Sequence, residues 1–175
     1  MGRWLARTAF ALSLVLLLGR AAPAQDPPAP APVPSAEPAV VKVGVYVNDV
    51  QSIDLKLHSY AVDIYIWFRW SDPGLDSPAD SMEFVNPSEL WGHARATSYE
   101  ETVVTDSGER YQVVRVQGRF SRKLPLYNYP FDRQVLTVVF EDSRHDARDL
   151  VFAPDRSGVT LSPDLLLPGF RFGAP

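Results

Sequence analysis

Apolar residues recur at every second position over much of the chain from residue 39 onward, a pattern typical of half-buried β-strands. The first such segment places four valines on one face, Val41, Val43, Val45 and Val47. The second, residues 60–70, directs Val62, Ile64, Ile66, Phe68 and Trp70 inward and Asp63, Tyr65, Trp67 and Arg69 outward. Further strands are predicted at residues 101–105, 111–120, 134–140, 150–153 and 169–172. The chain is therefore expected to be rich in short strands.

Turn-forming residues separate the predicted strands at residues 71–74, 106–108 and 155–158. The second of these, together with Glu109, predicts the tip of a hairpin. Helical periodicity is almost absent, and at most one short helix fits, at residues 88–94. Many short strands with almost no helical periodicity predict an all-β fold, an antiparallel sandwich or barrel.

The first 38 residues differ in kind from the rest. Two arginines, an apolar run at residues 9–18 and small residues at 22–24 follow the order of a secretory signal peptide. Residues 25–38 are rich in proline and alanine, which predicts a semi-rigid spacer. We therefore expect a signal peptide (1–24), a linker (25–38) and a sandwich domain (39–175) exported to the periplasmic or extracellular face. The alternatives are an uncleaved N-terminal anchor and a chance apolar start.

Composition narrows the chemistry that the domain can perform. With 46% hydrophobic and 22% charged residues the chain is typical of a folded protein, and a net charge of −4 argues against nucleic-acid binding. The absence of cysteine excludes thiol chemistry and cysteine-ligated metals. His58, His93 and His145 lack the spacing of a zinc site, and no nucleophile elbow or phosphate-binding loop is present. Neither enzymatic activity nor a cofactor is predicted.

One segment, RKLPLYNYPFDRQVLTVVF at residues 122–140, carries a specific signal. Its core, Tyr129-Pro130-Phe131-Asp132-Arg133-Gln134, resembles the signature loop of the pentameric ligand-gated ion channel (Cys-loop receptor) superfamily. Thirteen residues separate the two boundary positions, Arg122 and Leu136, and neither is cysteine, as in the prokaryotic branch. Trp70-Ser71-Asp72 and Phe84-Val85-Asn86 are similar to further motifs of this superfamily, in the same order. The resemblance therefore covers most of the predicted domain and implies an antiparallel immunoglobulin-like β-sandwich.

The resemblance implies a binding site for a small ligand between neighbouring subunits of a homo-oligomer, a pentamer in the intact protein. It assigns to the complementary face Tyr65, Trp67, Arg69, Arg115 and Arg119, and to the principal face Glu141, Ser143 and His145. Ser143 occupies the position of the aromatic cation-binding residue, so the resemblance does not imply a full aromatic cage. A carboxylate at Glu141 with aromatic rings nearby suits a cationic amine. Glu141 and Tyr65 are equally compatible with ordinary solvent-facing strand residues.

The resemblance also implies a coupling role for the loop, carried by Tyr129, Pro130, Phe131 and Asp132, which would contact a membrane channel domain. In this superfamily the domain continues with a hairpin, a last strand and four transmembrane helices. The chain stops at Pro175, and the domain is expected to be C-terminally incomplete. The sequence leaves the ligand open between a proton, a small amine and none.

Two other functions stay open at this point. The chain could be a free-standing exported binding protein with the same fold, or an unrelated exported β-sandwich used in adhesion or catalysis. The reading frame beyond Pro175 separates the first alternative from the channel homologue. A hairpin rich in tyrosine and tryptophan followed by four hydrophobic spans is expected for the channel, and a stop codon for the free-standing protein.

Overall fold

A computed structural model describes residues 37–89 and 92–173. The predicted signal peptide and residues 25–36 of the predicted linker lie outside this part of the chain. Within it, eight strands and one short helix follow in the order β1 (Ala39–Asp54), β2 (Ser59–Trp70), α1 (Pro78–Ser81), β3 (Met82–Phe84), β4 (His93–Thr97), β5 (Val103–Val104), β6 (Arg110–Ser121), β7 (Phe140–Asp142) and β8 (Leu150–Leu161). The all-β prediction is confirmed.

The strands form one large sheet and one small ribbon. The large sheet has the order β4-β6-β2-β1-β8, and β5 pairs with β6 at its edge. Strand β2 pairs antiparallel with both β1 and β6, whereas β1 pairs parallel with β8. The ribbon consists of β3 and β7, paired antiparallel. The apolar face of the large sheet is covered in part by Phe84 and Phe140 of the ribbon, which pack against the core.

The alternating pattern of β2 holds in the structure. The predicted inward set, Val62, Ile64, Ile66, Phe68 and Trp70, is buried throughout. Three of the four residues predicted to face outward are partly exposed, but Asp63 is only 3% exposed. It lies on the opposite face of the sheet from the core and is covered there by side chains of β1 and β6. Asp63 therefore points outward as predicted, but neighbouring side chains shield it from solvent.

The one short helix that the sequence allowed at residues 88–94 is absent from the described residues of that segment, 88–89 and 92–94. The helix of the described chain lies earlier, at Pro78–Ser81, where proline occupies a first-turn position that needs no N–H donor. Residues 93–97 instead form β4, which pairs with β6 in register Arg95↔Val116. Pairing with a long neighbouring strand outweighs the weak helical signal of this segment.

Two predicted strands do not form ladders. Residues 134–139 contain no strand, and most of their bonds to the sheet involve side chains: the N–H of Thr137 donates to Tyr60 Oη at 2.9 Å, and Asn86 Nδ2 donates to the carbonyl of Thr137 at 2.7 Å. Residues 169–172 contain no strand, and Gly169 there has a φ of +85°. Alternation alone does not distinguish an extended segment from a paired one.

The turn predicted at residues 155–158 proves to be a bulge inside β8. The register with β1 steps from Val43↔Pro154 to Val45↔Val159, so that the strand continues to Leu161, beyond the predicted end at residue 153. The hairpin tip at residues 106–109 is confirmed: the N–H of Thr105 donates to the carbonyl of Glu109 at 2.8 Å, and Gly108 has a φ of +79°.

Candidate functional site

Tyr65 lies in the middle of the sheet face that points away from the core. Its neighbours across the ladder are Tyr46 on β1 and Arg115 on β6. The Arg115 guanidinium lies 5.5 Å from the centroid of the Tyr65 ring, a distance typical of a cation–π contact, and the two tyrosine rings are 6.4 Å apart. The structure thus brings together two of the residues predicted for the complementary face, Tyr65 and Arg115.

Arg115 forms a salt bridge with Asp63. Arg115 Nε donates to one carboxylate oxygen at 3.0 Å and Arg115 Nη2 to the other at 2.6 Å, and Asn48 and Gln117 donate to the same carboxylate. The hydrogen bonds from Arg115 hold the pKa of Asp63 below its usual range, although burial acts in the opposite direction. Sequence reasoning missed this partner. The signal was an acidic residue in the middle of a strand flanked by apolar residues.

Trp67 crosses the sheet towards β8. Its indole lies over Gly44 of β1, where a Cβ atom would come within 2.0 Å of Trp67 Cζ2, so only glycine leaves room for the ring. Trp67 Nε1 donates to Asp155 Oδ2 at 2.8 Å. This hydrogen bond lowers the pKa of Asp155. The indole N–H is therefore already engaged, and Asp155, which sequence reasoning missed, stands at the start of the β8 bulge.

Arg69 lies beside Trp67 in a network of charges at the edge of the same face. Its guanidinium nitrogens are 3.8 Å from Glu109 and 3.8 Å from Asp155, and it sits over the ring of Tyr111 at 5.7 Å. Lys42 pairs with Glu109 at 2.7 Å. This network connects the β5–β6 hairpin with β1, β2 and β8.

Arg119 lies apart from Tyr65, further along β6. It is paired with Ala61, and its guanidinium approaches Ser59 Oγ at 3.4 Å and Ser52 Oγ at 3.5 Å. The predicted complementary face is thus a row of separate groups along β2 and β6. Tyr65 with Arg115 lies in the middle of that row.

On the ribbon, Glu141 and Ser143 have different surroundings. Glu141 is exposed and stands directly opposite Glu83 of β3. The N–H and the hydroxyl of Ser143 both donate to the carbonyl of Ser81 at 2.9 Å. Glu141 keeps its carboxylate at the surface, whereas the Ser143 hydroxyl closes a contact with α1.

Asp142 fixes the conformation of the residues around it. Its buried carboxylate accepts hydrogen bonds from Ser81 Oγ at 2.5 Å, from the N–H groups of Arg144 and His145, and from His145 Nδ1 at 2.9 Å. Burial raises the pKa of Asp142, but the hydrogen bonds that it accepts outweigh burial and leave the pKa below its usual range. Sequence reasoning assigned no role to this residue, although it lies between two predicted site residues.

The loop with the signature motif is strongly exposed. Tyr127 and Phe131 are each 89% exposed and Tyr129 is 66% exposed, around a cis peptide bond at Tyr129–Pro130. Asp132 accepts a hydrogen bond from the N–H of Asn128 at 2.7 Å, which closes the loop on itself. Three large aromatic rings exposed together are typical of an interaction surface.

Within residues 37–89 and 92–173, no group of three or more metal-ligating side chains stands close enough to hold a metal ion. No helix in that range has the length and apolar character needed to cross a membrane.

Comparison with known proteins gives an ion channel as a relative of the chain. No protein-family model matches the chain. Over 159 residues, covering 83% of the chain, it is 26% identical to a proton-gated ion channel of Gloeobacter violaceus. The aligned region is 44% of that protein, so the chain spans less than half the length of its relative. This relative is an ion channel and not an enzyme, which is consistent with the prediction that the chain is not an enzyme. The similarity, added to the loop motif and the all-β fold, confirms the resemblance of the chain to the pentameric ligand-gated ion channel superfamily, in the region of the ligand-binding domain.

Proposed function

We propose that the chain is the exported ligand-binding region of a bacterial pentameric channel homologue, which binds a small ligand between subunits and couples binding to gating. The observation that carries this proposal is the exposed aromatic loop at residues 122–136. Its rings contribute little to the fold as it stands, since Tyr127 and Phe131 are almost fully exposed. Such a surface is stabilised when another apolar surface covers it. In the proposed function, the apolar surface that covers the aromatic loop belongs to a membrane channel domain.

The ligand is a cationic amine held between two protomers. Glu141 supplies an exposed carboxylate from the principal face, and Tyr65 of the neighbouring protomer supplies an aromatic ring. Trp67 and Arg69 shape the pocket rather than contact charge, because Asp155 and Glu109 already occupy their polar groups. A carboxylate and a ring on opposite sides of an ammonium group give charge-assisted and cation–π attraction.

A proton is the second candidate effector, favoured by the description of the relative as a proton-gated channel. A proton acts by shifting the equilibrium between two conformations when it binds one of them more tightly. Titratable side chains at contacts between strands and loops of the chain would shift such an equilibrium when they bind a proton.

The amine proposal is tested by replacing Glu141 with glutamine in the assembled protein. Glu141→Gln keeps the shape of the side chain and removes its charge. A charge-assisted contact is worth roughly 1.5–3 kcal/mol, so the affinity for short primary alkylamines should fall about ten- to a hundredfold in calorimetric titrations. Tyr65→Ala should weaken the same amines through the loss of the ring.

The matched control is Glu89→Gln, an exposed glutamate outside the proposed site. It should leave every affinity unchanged. If amines bind the wild-type assembly and Glu141→Gln keeps each affinity within about twofold, the carboxylate does not contact the ligand and the amine proposal fails. The resemblance to the superfamily does not depend on this result.

A further inference from the structure

His58 joins the β1–β2 turn to the beginning of the signature loop. The N–H of Leu124 donates to His58 Nδ1 at 3.2 Å, and the N–H of Arg122 donates to the backbone carbonyl of His58 at 3.0 Å. His58 has a φ of +52°, in the left-handed region, so its backbone is part of a tight turn. Leu124, by contrast, is 1% exposed and anchors the start of the loop in the protein. The side chain of an exposed histidine thus holds a buried backbone position.

The direction of this hydrogen bond fixes the protonation state of the ring. Nδ1 can accept from Leu124 only when it carries no proton, so the neutral ring has its proton on Nε2. When a proton from solvent binds Nδ1, the imidazolium has two N–H donors and no acceptor. Two N–H groups then face each other, and the bond to Leu124 must break. Histidine is the side chain that ordinarily binds a proton between about pH 5 and 8.

We propose that His58 is a proton-binding site that releases the start of the signature loop when it is protonated. The bond from Arg122 to the His58 carbonyl does not involve the ring and persists. Protonation therefore removes one of two attachments, which loosens the loop rather than detaching it. That this loosening alters channel gating rests on the proposed function, whereas the local release does not.

Several charged groups lie on the elements that meet at His58. The turn contributes Asp54, which accepts from the N–H of Leu57 at 2.8 Å, and the exposed Lys56. Strand β6 contributes Arg119, near Ser59, and the segment after it contributes Arg122, which donates to the side chain of Thr137, and the exposed Lys123. None of these groups offers Leu124 an alternative side-chain acceptor among the contacts of the described residues.

His145 provides an internal comparison, because its hydrogen bond should survive protonation of the ring. Its Nδ1 faces the Asp142 carboxylate, which can only accept, so Nδ1 carries the proton in the neutral ring. A second proton then binds Nε2 and leaves the bond to Asp142 in place, now strengthened by charge. Two histidines of one chain are therefore expected to have opposite neutral tautomers and opposite responses to acid.

Nuclear magnetic resonance of the 175-residue chain tests both statements. At pH 8 the ring nitrogen shifts should show the Nε2–H tautomer for His58 and the Nδ1–H tautomer for His145. Between pH 8 and pH 5, exchange of the Leu124 amide, corrected for its intrinsic pH dependence, should become about tenfold faster as the His58 ring titrates. The Arg122 amide should change little.

Two variants separate the ring from its surroundings. His58→Gln offers a neutral acceptor at every pH, and His58→Asn does so while tolerating the left-handed backbone, so either should abolish the pH dependence at Leu124. His145→Gln, the matched control, should preserve it. An Nδ1–H tautomer of His58 at pH 8, or a Leu124 amide whose exchange does not follow the His58 titration, would overturn the proposal. These readouts need no ligand and no channel, so they are independent of whether the proposed function holds.

Discussion

The two halves of the candidate site are built in different ways. The complementary half lies on β2 and β6, whose ladder continues without a register shift from Ser59↔Ser121 to Trp70↔Arg110. The principal half lies on the three-residue strand β7 and the segment after it, where Asp142 and Ser81 hold the chain through side-chain bonds. A long ladder orients side chains by backbone pairing alone, whereas a short ribbon depends on a few polar contacts. The two halves should therefore respond differently to loss of one carboxylate.

The largest effect is expected on the sheet face, from Asp63→Asn. The carboxylate accepts from Arg115 twice and from Asn48 and Gln117, and the buried amide of asparagine cannot accept all of these bonds. The free energy of unfolding should fall by about 2–3 kcal/mol, measured by urea denaturation. Asp106→Asn, in the exposed hairpin tip, should change it by less than about 0.5 kcal/mol.

The loss of stability caused by Asp63→Asn should depend on pH. Because the pKa of Asp63 is lower in the folded state than its ordinary value near 3.8, its contribution is complete above that value and is lost as the pH falls through the folded pKa. The stability difference between wild type and Asp63→Asn should therefore be constant at neutral pH and shrink below about pH 3.8. A difference that stays constant down to pH 2 would show that the charge of Asp63 does not matter.

A smaller effect is expected in the ribbon, from Asp142→Asn. The asparagine oxygen can still accept from the backbone N–H of His145, and its amide nitrogen can face Ser81 Oγ, so unfolding free energy should fall by only about 1–2 kcal/mol. The loss should be local: exchange of the amides of residues 144 and 145 should accelerate more than that of β6 amides. Asp164→Asn, exposed and remote along the chain, is the control. Uniform acceleration across β6 would mean that Asp142 supports the whole domain.

The same contrast explains what could be predicted from sequence. The period of two in residues 60–70 oriented the core residues of β2 correctly, because a long ladder leaves only one register that buries its apolar set. The loop motif indicated the resemblance to the superfamily without structural information. The partners of Trp67 and Ser143 could not be predicted, since Asp155 lies 88 residues away along the chain and Ser81 lies 62 away. Such pairs depend on strand order, which alternation does not encode.

A third prediction concerns the bond that crosses from β2 to β8. Trp67→Phe keeps an aromatic ring over Gly44 and removes the indole N–H that Asp155 accepts. Asp155 retains the N–H of Arg156 as a donor, so the unfolding free energy should fall by about 1 kcal/mol. The double variant Trp67→Phe with Asp155→Asn should lose less than the sum of the two single losses, because the two residues share one bond. Additive losses would show that the hydrogen bond contributes nothing.

The smallest effect has the opposite sign and lies at the proposed ligand residue itself. Glu83 and Glu141 face each other directly across the β3–β7 ribbon, and like charges at such positions destabilise a pair of strands. Either Glu83→Gln or Glu141→Gln should therefore raise the unfolding free energy by about 0.5 kcal/mol at low ionic strength, with a smaller gain in 0.5 M salt because the repulsion is screened. The second substitution should add little once the first is made, since one remaining charge has no like neighbour to repel.

The affinity for amines distinguishes the two residues: Glu141→Gln should lose this affinity, whereas Glu83→Gln should keep most of it. If Glu141→Gln stabilises the fold but weakens amine binding, the Glu141 carboxylate serves ligand binding rather than folding. Equal losses of affinity in both variants would instead assign the amine to the pair of carboxylates together.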